Sequence, residues 1–299
     1  MYSSREILSG LRKPRKAVLE LNRLYNRKIR GRTGIKVMEK DWDNLIILDA
    51  CRYDLFKQVN TIEGELRSVI SSDSSTSGFL QYNFSDNEFP DTVYISANPQ
   101  VQRHEVGEQF HDCIRLWEGS WDNELHTVLP DDVTERALRA HKQYPQKRLI
   151  IHYVQPHYPF IGETGQQIEH GTLTGDGVIK NEREVESVWD QLEKGIVEQE
   201  TVWKAYRENL ELVIPEVKKL LNGMNGKSVI TSDHGNTFGR FGIYGHPGGT
   251  FLKSLVTVPW LEKEKEPRRE IETGEIRPND NGIESDVSDR LADLGYVYD

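Results

Sequence analysis

The stretch "WDNLIILDACRYD", residues Trp42–Asp54, joins a continuous apolar run to a carboxylate. Leu45 to Leu48 are all apolar, which is typical of a strand that is buried on both faces of a parallel sheet. Asp49 follows at once, where such a strand would end. The stretch therefore predicts a central strand with a polar side chain at its carboxyl end.

Other parts of the chain repeat this pattern and alternate with helical stretches. Three further runs read as buried strands: "DTVYISAN" (Asp91–Asn98), "RLIIHYVQPH" (Arg148–His157) and "KSVITSDHG" (Lys227–Gly235). Helical periodicity marks Asp131–Gln143, Glu184–Leu221 with a kink expected at Pro215, and a short stretch that starts near Ser285 or Ser288. The alternation predicts an α/β fold, with a mainly parallel central sheet and helices on both faces. Ile161–Asn181 and Glu262–Gly282 are predicted to be loops.

Length and composition fit a protein with one large domain and a real core. The chain has 299 residues, of which 36% are hydrophobic, and its two cysteines, Cys51 and Cys113, cannot form a disulfide framework. No window approaches the roughly 20 apolar residues that span a bilayer, and no apolar segment of a secretory signal follows the basic N-terminus. These features predict a cytoplasmic location.

Charge divides the chain into a basic arm and an acidic body. Residues 1–40 hold twelve Lys or Arg and three acidic residues, whereas the other 259 residues carry 26 basic and 45 acidic ones. Residues 4–30 read as a helix broken at Pro14. The arm is expected to pack on the body, to dock a partner or to lie on an anionic inner membrane surface as a peripheral contact. The acidic body argues against nucleic acid as the substrate.

Polar side chains cluster at the predicted strand ends. They are Asp49, Asn98, His152, His157, Asp233 and His234. In an open α/β sheet, ligands bind outside the carboxyl ends of the strands, so these side chains are expected to share one edge. Carboxylates with imidazole suit Zn or Mn, and an all-oxygen set would suit Mg or Ca. The pattern predicts a site for a divalent metal ion.

A nucleophile for such a site is available in "SSDSSTSG", residues Ser71–Gly78. Taken alone, the stretch also reads as a flexible polar loop. A hydroxyl bound to a divalent cation loses its proton more easily and becomes an alkoxide nucleophile. Spacing does not choose between Ser75, Thr76 and Ser77.

Five ordered motifs resemble those of the alkaline phosphatase/sulfatase superfamily, in particular its sulfatase-like and phosphoglycerol-transferase branches. They extend from about Trp42 to Trp260, and "LADLGY" resembles the usual sulfatase tail. The motifs are "IILDACRYD", "SSDSSTSGF", "HYVQPHYPF", "VITSDHGNTFG" and "YGHPGG…LVTVPW". The resemblance implies an alkaline-phosphatase-like fold for a catalytic domain of residues 41–299, preceded by the arm of residues 1–40.

The resemblance also implies roles for single residues. The metal ligands would be Asp49, Thr76, Asp233 and His234, with Thr76 as the nucleophile. His157 would hold an oxygen of the transferred group, and His246 would bind that group or join a second metal. Arg52 and His152 are weaker candidates for anion contacts. No Asp-x-x-x-His set for a second metal stands at a strand end, so one ion is expected.

These expectations combine into a metal-dependent hydrolase or transferase that acts on phosphoric esters. The formylglycine pattern of sulfatases, C/S-x-P-x-R, is absent from the sequence, which disfavours sulfuric esters. The substrate is expected to be a phosphorylated or sulfated small molecule, glycan or lipid head group. Two alternatives stay open: a sulfatase that lacks formylglycine, and a non-catalytic module that binds an anionic glycan or lipid.

Overall fold

The fold is built on one large, mainly parallel sheet. In the computed structural model, the described residues are 14–25, 33–168, 187–277 and 284–296. The strands of the large sheet are β1 (Asn44–Leu48), β2 (Glu65–Ile70), β3 (Phe89–Ser96), β4 (Phe110–Arg115), β7 (Arg148–Tyr153), β8 (Ser228–Thr231) and β11 (Thr257–Lys263). Two small hairpins consist of β5 (Trp121–Asp122) with β6 (Thr127–Val128), and β9 (Thr237–Phe238) with β10 (Tyr244–Gly245).

The strand order of the large sheet is β2-β11-β8-β1-β7-β3-β4. The five strands from β8 to β4 are mutually parallel, whereas β11 runs antiparallel to both β8 and β2. Strand β1 lies between β7 and β8 in register, so that Ile47 is level with His152 and Thr231. The carboxyl ends of the parallel strands therefore meet at one edge, with Asp49 near the centre.

Helices surround the sheet. They are Pro14–Tyr25, Tyr53–Val59, Thr76–Phe84, Gln100–Arg103, Pro130–Gln143, Glu163–Gln166, Val188–Lys194, Gln199–Gly223, Lys253–Val256 and Glu284–Asp293. The predicted α/β architecture is thus confirmed, and the described part of the basic arm contains a helix that begins at Pro14. Proline is well tolerated there, because its missing N–H falls in the first turn.

The core explains why the apolar runs became strands. Residues Leu45 to Leu48 are fully buried, and each side chain of this kind contributes about 1.5–3 kcal/mol on burial. On the β3–β4 side, Phe84, Tyr94 and Phe110 pack edge to face with ring centroids 5.0–5.7 Å apart. Close packing of these side chains therefore stabilises the sheet whose strand ends form the candidate site.

The structure corrects the element boundaries in two places. The helix predicted over Glu184–Leu221 is two helices, Val188–Lys194 and Gln199–Gly223, because Gly195 adopts a left-handed φ of 70° and ends the first one. The first residues of that prediction, and residues 169–181 of the loop predicted over Ile161–Asn181, lie outside the described residues. The Glu262–Gly282 loop begins two residues late, because β11 continues to Lys263.

Candidate active site

The carboxyl ends of three parallel strands bring their polar residues together. Asp49 follows β1, Asn98 follows β3 and Asp233 follows β8, and all three side chains are fully buried. The Asn98 amide donates to Asp49 Oδ2 at 2.6 Å, and the backbone N–H of Ala50 donates to Asp233 Oδ1 at 3.0 Å. The structure therefore places these polar side chains close together at one edge of the sheet, as the sequence predicts.

Ala50 has an unusual backbone that serves this arrangement. Its φ is 56°, a left-handed conformation that non-glycine residues rarely adopt and that is enriched at functional sites. The turn aims the Ala50 N–H at Asp233, and Tyr206 OH holds the Ala50 carbonyl from the other side at 2.5 Å. The strained turn thus fixes the position of Asp233 relative to Asp49.

Thr76 is the hydroxyl of the serine-rich stretch that faces the carboxylates. It begins the helix Thr76–Phe84, and its Oγ1 donates to Asp233 Oδ2 at 2.7 Å and lies 3.2 Å from His234 Nε2. Ser75 instead caps the helix by accepting from the N–H of Gly78. The partial positive charge of a helix N-terminus favours an anion, so an alkoxide on Thr76 is stabilised there.

Gly78 supports the same stretch through close packing. A Cβ at this position would lie 2.2 Å from Asp73 Cγ, so only glycine lets the helix approach that carboxylate. Gly78 lies inside the helix, and its φ is not in the left-handed range. Its value lies in close approach.

Three atoms that can ligate a metal ion converge near Thr76. His234 Nδ1 lies 2.7 Å from the Gly235 carbonyl and must donate to it, so Nε2 is the ring nitrogen that can present a lone pair to a metal ion. That Nε2 is 3.5 Å from Asp49 Oδ1 and 3.4 Å from Asp233 Oδ2. Asp49 Oδ1 is buried and has no hydrogen-bond partner among the described residues. Such a set of acceptors fits a cation at its centre.

A second imidazole borders the carboxylates. Ligand atoms of Asp49, His152 and Asp233 all lie within 4.8 Å of one another, an arrangement that can hold a divalent metal ion. His152 Nδ1 contacts Tyr94 OH at 2.9 Å, while its Nε2 is 3.9 Å from Asp49 Oδ2 and is buried with no hydrogen-bond partner in the ranges that the structure describes. Burial lowers the pKa of His152 to about 4, so the ring is neutral.

The two buried carboxylates differ in their electrostatics. Burial, and then the charge of Asp233, raise the pKa of Asp49 well above its usual value, which hydrogen bonds from Asn98 and Tyr296 only partly offset. Burial acts on Asp233 in the same direction, but the neighbouring His234 and His152 and several hydrogen bonds lower its pKa overall. Two carboxylates forced together in this way favour an added positive charge.

His157 and His246 form a pair above this set. Their Nε2 atoms are 2.8 Å apart, and His157 Nδ1 lies 2.5 Å from the carbonyl of Tyr158. His157 must donate from Nδ1, so it accepts from His246 Nε2, and His246 Nδ1 is left as a buried acceptor without a partner in the described part of the chain. Burial first, and then His234, lower the pKa of both rings, that of His157 to about 4.

Arg52 is placed apart from the other predicted site residues. Its guanidinium pairs with Asp54, donates to the Asn236 carbonyl at 3.3 Å and lies 5.0 Å from the ring centroid of Trp203. These contacts hold Arg52 in a structural network among the described residues. Its predicted contact with an anion stays a prediction.

Tyr296 is a site residue that the sequence did not single out. It follows the helix Glu284–Asp293, and its hydroxyl lies 3.2 Å from Thr76 Oγ1 and 3.2 Å from Asp49 Oδ2. Its ring stacks on His157 with centroids 5.2 Å apart. The only available signal was its position in the tail motif "LADLGY".

Comparison with known proteins finds likeness in structure. No family model matches the chain, and no curated protein sequence matches it. The chain is similar to the integral membrane lipooligosaccharide phosphoethanolamine transferase A of Neisseria meningitidis, with 12% identity and a TM-score of 0.49 over 73% of this chain and 47% of that one. It therefore spans about half the length of that protein.

Two further solved structures share this likeness. The C-terminal periplasmic domain of phosphoethanolamine transferase EptC from Campylobacter jejuni gives 14% identity and a TM-score of 0.48 over 74% of this chain and 78% of that one. A protein in the alkaline phosphatase superfamily from Vibrio parahaemolyticus gives 12% identity and a TM-score of 0.39 over 86% of this chain and 67% of that one. The resemblance to this superfamily that the motifs predict is matched in solved structures.

The comparison overturns one prediction from the sequence. The cytoplasmic location is contradicted, because the matched transferase domains from Campylobacter jejuni and Escherichia coli are periplasmic. Cysteine usage and the lack of a visible signal segment were too weak to decide the compartment. No helix in the described ranges is both long and apolar enough to cross a membrane.

Proposed function

We propose that this chain is a metal-dependent enzyme that transfers or hydrolyses phosphoric esters with Thr76 as its nucleophile. The observation that carries the proposal is the position of Thr76 Oγ1, 2.7 Å from Asp233 Oδ2 and 3.2 Å from His234 Nε2 at a helix N-terminus. A threonine that merely closed a core would not face a carboxylate and an imidazole nitrogen at once.

One divalent ion would be held by Asp49, Thr76, Asp233 and His234, with His152 beside them. Two carboxylates, an imidazole and a hydroxyl suit Zn or Mn better than Mg or Ca. When bound, such an ion lowers the pKa of a coordinated hydroxyl and stabilises negative charge on the transferred oxygens. The orphaned Asp49 Oδ1 and the lone pair on His234 Nε2 support this assignment.

The covalent step can be written from the groups in place. The Thr76 proton passes along its hydrogen bond to Asp233 Oδ2, and Thr76 Oγ1 forms a bond to the phosphorus. The bond between phosphorus and the ester oxygen breaks, and that oxygen leaves with the electron pair and takes a proton from solvent water. Water or an acceptor hydroxyl then attacks the phosphothreonine and gives its proton to His246 Nδ1, and the released Thr76 oxygen takes back its proton from Asp233.

His157 and His246 are suited to the transferred group and to its proton exchange. Both rings lie beside the nucleophile, since His246 stacks on His234 with centroids 4.5 Å apart. The Nδ1 of His246, which has no hydrogen-bond partner among the described residues, is a buried acceptor that can take the proton of an incoming hydroxyl.

The chemistry of the nucleophile favours phosphoric over sulfuric esters. The sequence has no C/S-x-P-x-R pattern, so neither free cysteine stands in the motif that is oxidised to formylglycine. As substrate we propose the phosphorylated head group of a lipid, a glycan or a small molecule.

The test is turnover of four chromogenic probes by the purified chain after metal titration. The probes are p-nitrophenyl phosphate, bis(p-nitrophenyl) phosphate, p-nitrophenyl phosphorylcholine and p-nitrophenyl sulfate. Metal-dependent cleavage of a phosphoric ester that Thr76→Ala abolishes supports the proposal. Cleavage of the sulfate alone would assign a sulfatase, and metal binding without turnover of any probe would assign a binding module.

The basic arm is proposed to bring this domain to an anionic lipid surface. The described helix Pro14–Tyr25 is fastened to the loop after His246, where Asn22 exchanges two hydrogen bonds with the Phe251 backbone at 2.9 and 2.6 Å. Leu21 and Tyr25, one turn apart, are 67% and 51% exposed. Exposed apolar side chains on a basic helix suit insertion among lipid head groups.

A further inference from the structure

The hydroxyl of Tyr296 lies at the centre of the candidate site, 220 positions away in sequence from Thr76. It is 3.2 Å from Thr76 Oγ1 and 3.2 Å from Asp49 Oδ2, and it accepts a hydrogen bond from the Asn98 amide at 3.2 Å. The side chain is 1% exposed. The three contacted residues come from three separate parts of the fold: Thr76 begins a helix, Asp49 follows β1 and Asn98 follows β3.

Backbone contacts at Gly295 and Tyr296 fix the position of the phenol ring in the site. Gly295 has a φ of 81° and closes the helix Glu284–Asp293, and the Tyr296 N–H donates to Leu291 O at 2.9 Å. Arg103 Nη1 donates to the Tyr296 carbonyl at 3.1 Å. Backbone contacts before and at Tyr296 therefore set its position independently of its hydroxyl.

The hydrogen bonds around the phenol assign its proton. Asn98 donates to Asp49 Oδ2 at 2.6 Å, and Thr76 donates its own proton to Asp233 at 2.7 Å. The phenolic O–H therefore has two acceptors within reach, Asp49 Oδ2 and the lone pairs of Thr76 Oγ1. When Thr76 loses its proton, its oxygen becomes the stronger acceptor, and a donor already stands 3.2 Å away.

We infer that Tyr296 is a catalytic residue of the proposed reaction, which donates a hydrogen bond to the Thr76 oxygen while that oxygen carries negative charge. The inference rests on the proposed function of Thr76. The proton of Thr76 still goes to Asp233, and no bond to Tyr296 forms or breaks. The stacking of the phenol on His157, with planes 18° apart, keeps the donor aligned while the transferred group is in place.

A role in packing alone would predict a different pattern of contacts. Tyr153 shows that pattern, because it is equally buried and its hydroxyl bonds Thr134 at 2.8 Å. Tyr153 neighbours His152 on β7, and alternating side chains of a strand point to opposite faces, so its ring points away from His152. It therefore provides a matched control for loss of a buried phenolic hydroxyl.

The experiment compares the parent chain with Tyr296→Phe and Tyr153→Phe, each loaded with metal. Tyr296→Phe keeps the ring and its stack, and it is expected to lower kcat for the best p-nitrophenyl ester about 10- to 100-fold, with KM within about 3-fold. Affinity for orthovanadate, a mimic of the transferred group, is expected to fall about 10-fold in calorimetry. Metal content is expected to stay parental, and Tyr153→Phe is expected to keep the parental kcat and vanadate affinity.

The outcomes separate this inference from the proposed function. If Tyr296→Phe keeps parental kcat and vanadate affinity while Thr76→Ala loses both, Tyr296 only packs and the inference is wrong. A kcat above the parental value would show that the phenol obstructs the site, which also overturns the inference. If the parent turns over no probe and binds vanadate no better than Thr76→Ala, the proposed function fails, and the inference fails with it.

Discussion

Asp233 Oδ2 lies 2.7 Å from Thr76 Oγ1, although 157 positions separate the two residues in the chain. The contact joins the end of strand β8 to the first residue of a helix, and the other oxygen of the carboxylate accepts the backbone N–H groups of Ala50 and His234. One carboxylate thus connects the proposed nucleophile, the strained turn after β1 and the proposed metal ligand His234.

The first prediction concerns the identity of the nucleophile. Acid-quenched peptide mapping after incubation with a turned-over phosphoric ester is expected to place the phosphate on Thr76. Thr76→Ala should fold and retain metal less tightly, with activity lower by several orders of magnitude, because the covalent step is removed. Ser75→Ala should keep the label but lose about 0.5–2 kcal/mol of stability, because Ser75 caps the helix. A phosphate found on Ser75 or Ser77 would assign the role of nucleophile to that serine instead of Thr76.

The second prediction concerns metal retention. Asp233→Asn preserves the shape of the side chain, and its amide oxygen can still accept from Ala50 and His234, but one negative charge next to the cation is lost. We expect metal content after dialysis to fall at least about 10-fold, and activity with it, while the folded secondary structure remains. Asp112→Asn is the control, because Asp112 is a half-buried carboxylate on the edge strand β4, beside Tyr144 and Arg277. Equal metal content in Asp233→Asn and parent would remove Asp233 from the ligand set.

The sequence predicted the parts of this molecule that depend on local pattern. Continuous apolar runs placed β1, β3, β7 and β8, and the rule for parallel sheets placed Asp49 and Asp233 at one edge. Strand β2 gave no such signal, because its residues alternate between exposed and half-buried at the edge of the sheet. The choice among Ser75, Thr76 and Ser77 also required geometry, since three adjacent hydroxyls differ only in where each one points.

Contacts between segments that are distant in the chain could not be predicted from the local sequence pattern. Tyr296 reaches the site because the segment after the helix Glu284–Asp293 lies against the ends of the strands. The sequence contains no pattern that would place Tyr296 next to Thr76. Arg52 shows the same limit for charged partners. Asp54 and Trp203 contact its guanidinium, and its predicted contact with an anion stays a prediction. A single sequence carries no record of which charges become paired after folding.

The third prediction tests the arm on lipid. Leu21→Glu replaces an exposed apolar side chain, so it should weaken binding of the chain to vesicles with about one-third anionic lipid at moderate salt. We expect at least a several-fold loss in co-sedimentation, because an acidic group then faces the negatively charged surface. Leu212→Glu is the matched control, because Leu212 is 45% exposed on the helix Gln199–Gly223. Equal binding by Leu21→Glu and Leu212→Glu would leave the arm a structural role only.

The last prediction concerns pH and the segment that carries Tyr296. His126 Nδ1 lies 3.2 Å from Asp293 Oδ2, and the hydrogen bond to Asp293 raises the pKa of His126 above its ordinary 6.5, while burial and Arg290 oppose the shift and Asp122 adds to it. A raised pKa in the folded state means that the ion pair stabilises the segment fully below about pH 6.5. That contribution is lost as the pH rises through the folded-state value. Hydrogen exchange of the amides from Arg290 to Tyr296 should therefore show stronger protection at pH 5.5 than at pH 8.5, after correction for intrinsic rates.

His126→Asn should remove most of this pH dependence, since asparagine does not titrate, while amides of the central strand β1 serve as the internal reference. His126 has a φ of 51°, and asparagine tolerates that left-handed conformation well, so the loop itself should be preserved. If the parent and His126→Asn show the same difference in protection between the two pH values, the pairing of His126 with Asp293 does not hold the segment. The pH dependence would then have to come from another titratable group.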